Sequence, residues 1–142
     1  MTGKVYLWSD AWLFQAITIA SHEKPASLTD ILAVADGVNH AMPTDDELHG
    51  ALARLSSGGL IREISEHFLL SDAVPLKIRN AIVGHGWQAG RHAASRFLNA
   101  EPWTPARNVR DPRNQIEYAG LTAERIRHAD REYRKRLKTR RS

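Results

Sequence analysis

Thr44-Asp45-Asp46-Glu47-Leu48-His49-Gly50-Ala51-Leu52-Ala53-Arg54-Leu55-Ser56-Ser57-Gly58-Gly59-Leu60-Ile61 is the stretch that decides the fold. Thr44 followed three residues later by Glu47 forms a capping box, in which each side chain satisfies the other's backbone amide. Leu48, Ala51, Leu52 and Leu55 then recur at i, i+3, i+4 and i+7, which is one face of a helix. Ser57-Gly58-Gly59 supplies the stop. The residues that follow, Leu60 through Leu70, are two short β-prone runs around a polar turn at Ser65-Glu66, and they predict a hairpin.

The same grammar extends towards the N-terminus. Ser27 and Asp30 make a variant capping box, and Leu28, Ile31, Leu32 and Ala35 repeat the helical spacing up to a break at Met42-Pro43. An earlier helix is expected to start with Ser9 as its cap and with Trp8 stapled back onto Leu13. Its apolar residues Leu13, Phe14, Ile17 and Ala20 share one face, and the helix ends near His22. Lys24-Pro25-Ala26 leaves room for a very short strand. Two striped helices joined by a short turn suggest a helix-turn-helix pair.

This order of elements resembles the winged helix-turn-helix superfamily of bacterial transcriptional regulators. Thr44 through Leu55, Gly59-Leu60-Ile61 and Phe68-Leu69-Leu70-Ser71 carry the likeness, which covers roughly residues 8 to 72. The resemblance implies a DNA-binding transcriptional regulator working as a homodimer, with double-stranded DNA as partner. A fold of this kind also serves as a protein–protein interaction module without direct DNA binding, so a protein partner stays open as the alternative.

The expected class is mainly α with a small β-hairpin (α+β). A winged helix-turn-helix domain spans 1–72, and a helical extension with a bend near Gly84-His85-Gly86 spans 73–100. In that extension Ile78, Ile82, Trp87 and Phe97 offer apolar surface for dimerisation. Residues 101–121, with Pro102, Pro105 and Pro112, read as an extended arm anchored by Trp103 and Tyr118. A basic amphipathic helix fills 122–142, capped by Thr122, with Ile126, Ala129, Tyr133 and Leu137 as its narrow apolar stripe.

Charge is unevenly placed. Residues 122–142 hold nine Lys/Arg and three Asp/Glu, whereas the preceding 121 residues hold 11 and 13, so the net +4 originates at the C-terminal end. With no cysteine, disulfides and thiolate metal sites are excluded and a reducing compartment is expected. No segment reaches the ~20 apolar residues needed to cross a bilayer, and no cleavage site follows the N-terminus, so a cytoplasmic protein away from membranes is expected.

Catalytic patterns do not emerge. There is no G-x-S-x-G elbow and no phosphate loop, so an enzyme is not expected, and no cofactor is implied. His85/His92 and His40/His49 lack the i, i+4 spacing of helix-borne zinc ligands, so no metal is expected.

In the docking mode of this superfamily, the second helix of the pair enters the major groove by its N-terminal end. Its outward face here is Asp46, His49, Gly50, Ala53 and Ser56, with Arg54 at the flank. Asp45, Asp46 and Glu47 crowd the leading end, where phosphate would repel them. The candidate nucleic-acid contacts are therefore spread out. They are Thr44, His49 and Arg54 on the helix; Arg62 and His67 on the wing; Arg107, Arg110 and Arg113 on the arm; and Arg131, Arg134 and Lys135 on the terminal helix. Arginines spaced by three on an extended arm suit minor-groove insertion. The terminal helix is suited to phosphates, to an acidic protein, to RNA, or simply to solvent.

Overall fold

A computed structural model describes residues 6–84, 86–99 and 116–141, with backbone alone at 140 and 141. The chain is mainly helical with one small antiparallel hairpin: α1 Trp8–Ala20, α2 Leu28–Asn39, α3 Asp45–Ser57, β1 Ile61–Ile64, β2 His67–Leu70, α4 Leu76–Gly84, α5 Trp87–Leu98 and α6 Ala123–Arg141.

Helix α1 is the centre. Every residue from Ser9 to Thr18 is buried, because α2, α3, α4, α5 and β2 all pack against it. The single apolar face expected from Leu13, Phe14, Ile17 and Ala20 is thus too narrow a description. A helix enclosed on all sides must be apolar all round or have its polar groups partnered inside. Ala11 and Ala16 let neighbours approach, Phe14 stacks on Phe97 at 5.9 Å, and Trp12 donates its indole N–H to the Ala35 carbonyl at 3.0 Å.

The start of α1 also departs from expectation. Leu7, not Ser9, is the capping residue, and its N–H donates to the Asp10 carboxylate at 2.9 Å. The Leu7 side chain has no acceptor, so Asp10 supplies half of a capping box. Ser9 lies inside the helix. Trp8 is 45% exposed and rests against Trp12 at 5.6 Å.

The other elements follow their local chemistry. Ser27/Asp30 and Thr44/Glu47 both close as reciprocal capping boxes. Leu48, Ala51, Leu52 and Leu55 are buried, each leucine contributing about 1.5–3 kcal/mol of apolar transfer. The hairpin pairs Ile61 with Leu70 and Ile64 with His67. Its turn residues Ser65 and Glu66 both take positive φ, the geometry that matches strand twist in two-residue loops. Ala26 adds a one-residue bridge to Phe68, the very short strand expected there.

Helices α4 and α5 meet at the expected bend, where Gly86 takes φ 85°, a conformation that favours glycine. Some of their apolar residues pack on the body, whereas Leu76 of α4 stays exposed. Ile82 is buried and Phe97 packs on Phe14, leaving only Trp87 of the proposed dimer set well exposed.

One ion pair crosses this core. The Asp10 carboxylate, fully buried, accepts from Arg54 Nε at 2.6 Å and from its Nη2 at 3.0 Å, with the Arg54 side chain only 11% exposed. Burial pushes the Asp10 carboxyl above its ordinary range, while Arg54 and the Leu7 amide pull against that shift. The guanidinium reaches Asp10 by passing over Gly50, where any Cβ would collide with it. Gly50 is consequently buried, not part of an outward face.

Removing one partner leaves the other charge buried. Asp10→Asn is expected to cost about 3–5 kcal/mol in urea unfolding, and the added change Arg54→Met should restore part of that loss. Gly50→Ala should destabilise the native chain, yet in an Arg54→Ala background it should stabilise by up to about 1 kcal/mol, the ordinary helix-propensity gain. Additive effects in these series would refute the coupling.

Candidate nucleic-acid interface

The leading end of α3 is built from its cap. Thr44 Oγ1 accepts from the Glu47 amide at 3.1 Å and Glu47 returns a bond to the Thr44 amide at 2.9 Å, so the hydroxyl is committed to the helix. Asp45 and Asp46 are exposed beside it. Two turns on, Arg54 is tied to Asp10 and is removed from the candidate contacts, because leaving that pair would strand a buried carboxylate.

One residue of the outward face of α3, His49, is engaged by the chain itself. The Tyr118 backbone N–H donates to His49 Nδ1 at 3.1 Å, and its hydroxyl donates to Glu63 on β1 at 2.7 Å. The ring lies 6.1 Å from that of Phe68. Arg125 completes the clasp, reaching Glu63 at 3.3 Å with its guanidinium 6.0 Å above the Phe68 ring. Leu121 is buried between these contacts and α6. Tyr118 is therefore the anchor expected of it, and His49 is occupied as an acceptor. Burial, then the hydrogen bond and charge of Glu63, push the Tyr118 phenol up to about 12, with Arg125 opposing.

Helix α6 lies across α2. Ile126, Ala129 and Tyr133 face inward as the apolar stripe predicts. The Tyr133 hydroxyl donates to Asp36 at 2.5 Å, and Arg136 pairs with Asp30 at 2.8 Å. Burial alone would raise the Asp30 pKa, but the bonds from Arg136 and from the Ser27 amide and hydroxyl outweigh it and hold it below the usual value. Of the α6 cations whose side chains are described, Arg125 and Arg136 thus turn back onto the body.

The others make an outer face. Arg127, Arg131, Arg134, Lys135 and Lys138 are exposed along α6. Arg134 bonds Asp130 at 2.9 Å and Lys135 reaches Glu132 at 3.4 Å, pairs that leave both cations at the surface. Beside this face, His67 at the hairpin end and Arg131 line one cleft with His128, and a second cleft joins His67 to Lys24 and Arg136. Arg62 is exposed on β1. His67 with Arg131 is thus the candidate pair brought together. His128 and Lys24 were not singled out by sequence, because nothing local links them to the hairpin. Arg107, Arg110, Arg113 and Trp103 lie outside the described residues.

Among the described residues no three His, Asp or Glu side chains converge as metal ligands, and no helix is long and apolar enough to cross a membrane.

Two measurements check this clasp. Spectrophotometric titration should show one tyrosine ionising near 12 that is absent from Tyr118→Phe. Because the folded value is raised, its contribution to stability is full below pH 10 and is lost as pH rises through 12. Asp30 has the opposite sign: its contribution is full above the unfolded value of 3.8 and is lost as pH falls through the lower folded value. The melting-temperature gap between native and Asp30→Asn protein should therefore close below that pH, and a gap that persists into strong acid would exclude the pairing. Comparison of the chain with protein-family models, with curated proteins and with solved structures gives no match.

Proposed function

We propose that this chain is a winged helix-turn-helix protein that binds duplex DNA through its phosphates, using the outer face of α6 and the wing instead of a groove-reading helix. The superfamily reading is supported by three helices followed by a hairpin, and by the Ala26–Phe68 bridge that ties the α1–α2 connection to the wing. The observation that carries the functional reading is the placement of α6. It is fixed over α2 and beside the hairpin, and it turns Arg127, Arg131, Arg134, Lys135 and Lys138 to solvent.

That placement changes the mode of binding. A major-groove reader needs donors on the outward side of its recognition helix. Here that side carries Tyr118 bonded to His49, and carboxylates at its tip. Contacts to phosphate need only exposed cations on one surface, and they specify no sequence. Transcriptional control through operator recognition is accordingly less well supported than sequence-independent association.

A second reading, an interaction module for an acidic protein, draws on the same cations and on the engagement of His49 by Tyr118. Salt dependence separates the two. The full chain should bind a labelled random-sequence duplex of about 20 bp, with log K falling by about 0.9 per phosphate contacted as log salt rises. Changing Arg127, Arg131 and Lys135 to Gln should flatten that slope by about 2–3, whereas Asp45→Asn with Asp46→Asn should raise affinity modestly at every sequence. Binding that ignores the α6 changes would overturn the assignment of the surface, and no binding at low salt would leave the protein-module reading.

A further inference from the structure

Away from α6, an open cleft of about 930 Å³ lies where the start of α5 meets the start of α1, lined by Trp8, Gly86, Trp87, Gln88, Ala89, Arg91, His92 and Ser95. Two indoles in this small area stay uncovered, Trp8 at 45% and Trp87 at 53% exposure. Large rings left in water at adjacent positions forgo the burial that the rest of the core achieves, which marks a binding surface.

The polar half of the cleft has one sign. Arg91 lies 5.2 Å from the Trp8 ring centroid, and its hydrogen-bond acceptors are the Val38 carbonyl at 3.4 Å and the Asn39 amide oxygen at 3.2 Å, both neutral. Its Nε–H is buried without a partner among the described residues. His92 is exposed nearby, and no Asp or Glu is among the lining residues. The first amides of α5 also open here, since its capping residue is Gly86 and no side chain caps the helix. The cleft therefore presents a cationic side chain with no carboxylate partner among the described residues and, beside it, two flat apolar walls.

The walls are held in place. The buried Gln15 of α1 donates to the Trp87 carbonyl at 2.7 Å, and the edge of the Trp87 ring lies over Gly37 of α2. Arg91 is braced on the C-terminal end of α2 by its bonds to Val38 and Asn39. A ligand meets a surface already ordered, which reduces the entropic cost of binding.

We infer that this cleft binds a small aromatic carboxylate, its ring against Trp8 and Trp87 and its acid group at Arg91 and the opening of α5. Charge complementarity decides the occupant. A neutral aromatic would leave Arg91 without a counter-ion, and an aliphatic acid would leave the indoles wet. This inference is independent of DNA binding, because none of its residues belongs to the α6 face.

The test uses the full chain with three probes, indole-3-acetate, indole-3-acetamide and acetate, followed by calorimetry and by the tryptophan ring N–H signals in nitrogen-15 spectra. Indole-3-acetate should bind saturably, moving the Trp8 and Trp87 signals more than that of the buried Trp12, and the amide and acetate should each bind at least about tenfold more weakly. Arg91→Gln should lower affinity by about tenfold or more. Since Arg91 also braces α2, Gln88→Glu provides a second variant: residue 88 is exposed in the first turn of α5, where an acid favours the helix. It should leave melting unchanged or raised while weakening the acid about tenfold through repulsion. No saturation by about 10 mM, equal binding of the amide, or signal changes confined to other residues would each overturn the inference.

Discussion

The enclosure of α1 is the constraint on which the rest depends. A helix that touches five other elements has no solvent side on which to place a charge, yet position 10 is an aspartate. The fold resolves this by sending Arg54 across from α3, over a glycine that must have no side chain. Replacing such a pair by apolar residues is often neutral for stability, so its value lies in what it fixes. Here it sets the register of α3 on α1, and with it the direction in which the outward side of α3 points.

His49 on that outward side is then engaged by a residue from far along the chain. Tyr118 bonds to His49 and Glu63, and Arg125 shares Glu63. The interactions cooperate because Glu63 serves both partners, and because Phe68 receives the Tyr118 ring and the Arg125 cation together. On α3 His49 is engaged, while the exposed cations lie along α6. Such a surface can hold a polyanion without selecting a sequence.

The two candidate surfaces differ in kind. The α6 face is charged and partly neutralised by its own Asp130 and Glu132, properties suited to a long, repetitive partner. The cleft at Trp8 and Trp87 is concave, aromatic and singly charged, properties suited to one small molecule. They lie on different elements, and α1 and α2 connect them through the core: Trp12 to Ala35, Tyr133 to Asp36 and Arg91 to Asn39.

Much of this fold was legible in the sequence. Capping boxes at Ser27 and Thr44, four-residue stripes and the glycine stop are interactions between neighbours in the chain, so residue spacing determines them. The same holds for the hairpin and the stripe of α6. Tertiary structure alone decided what those helices face. Whether Arg54 is free and whether Arg125 and Arg136 turn back onto the body depend on partners 44 to 106 positions away. Periodicity reports that a face exists and is silent on what covers it. Local chemistry therefore specified the elements, and long-range burial and pairing chose which of the candidate residues were left for a ligand.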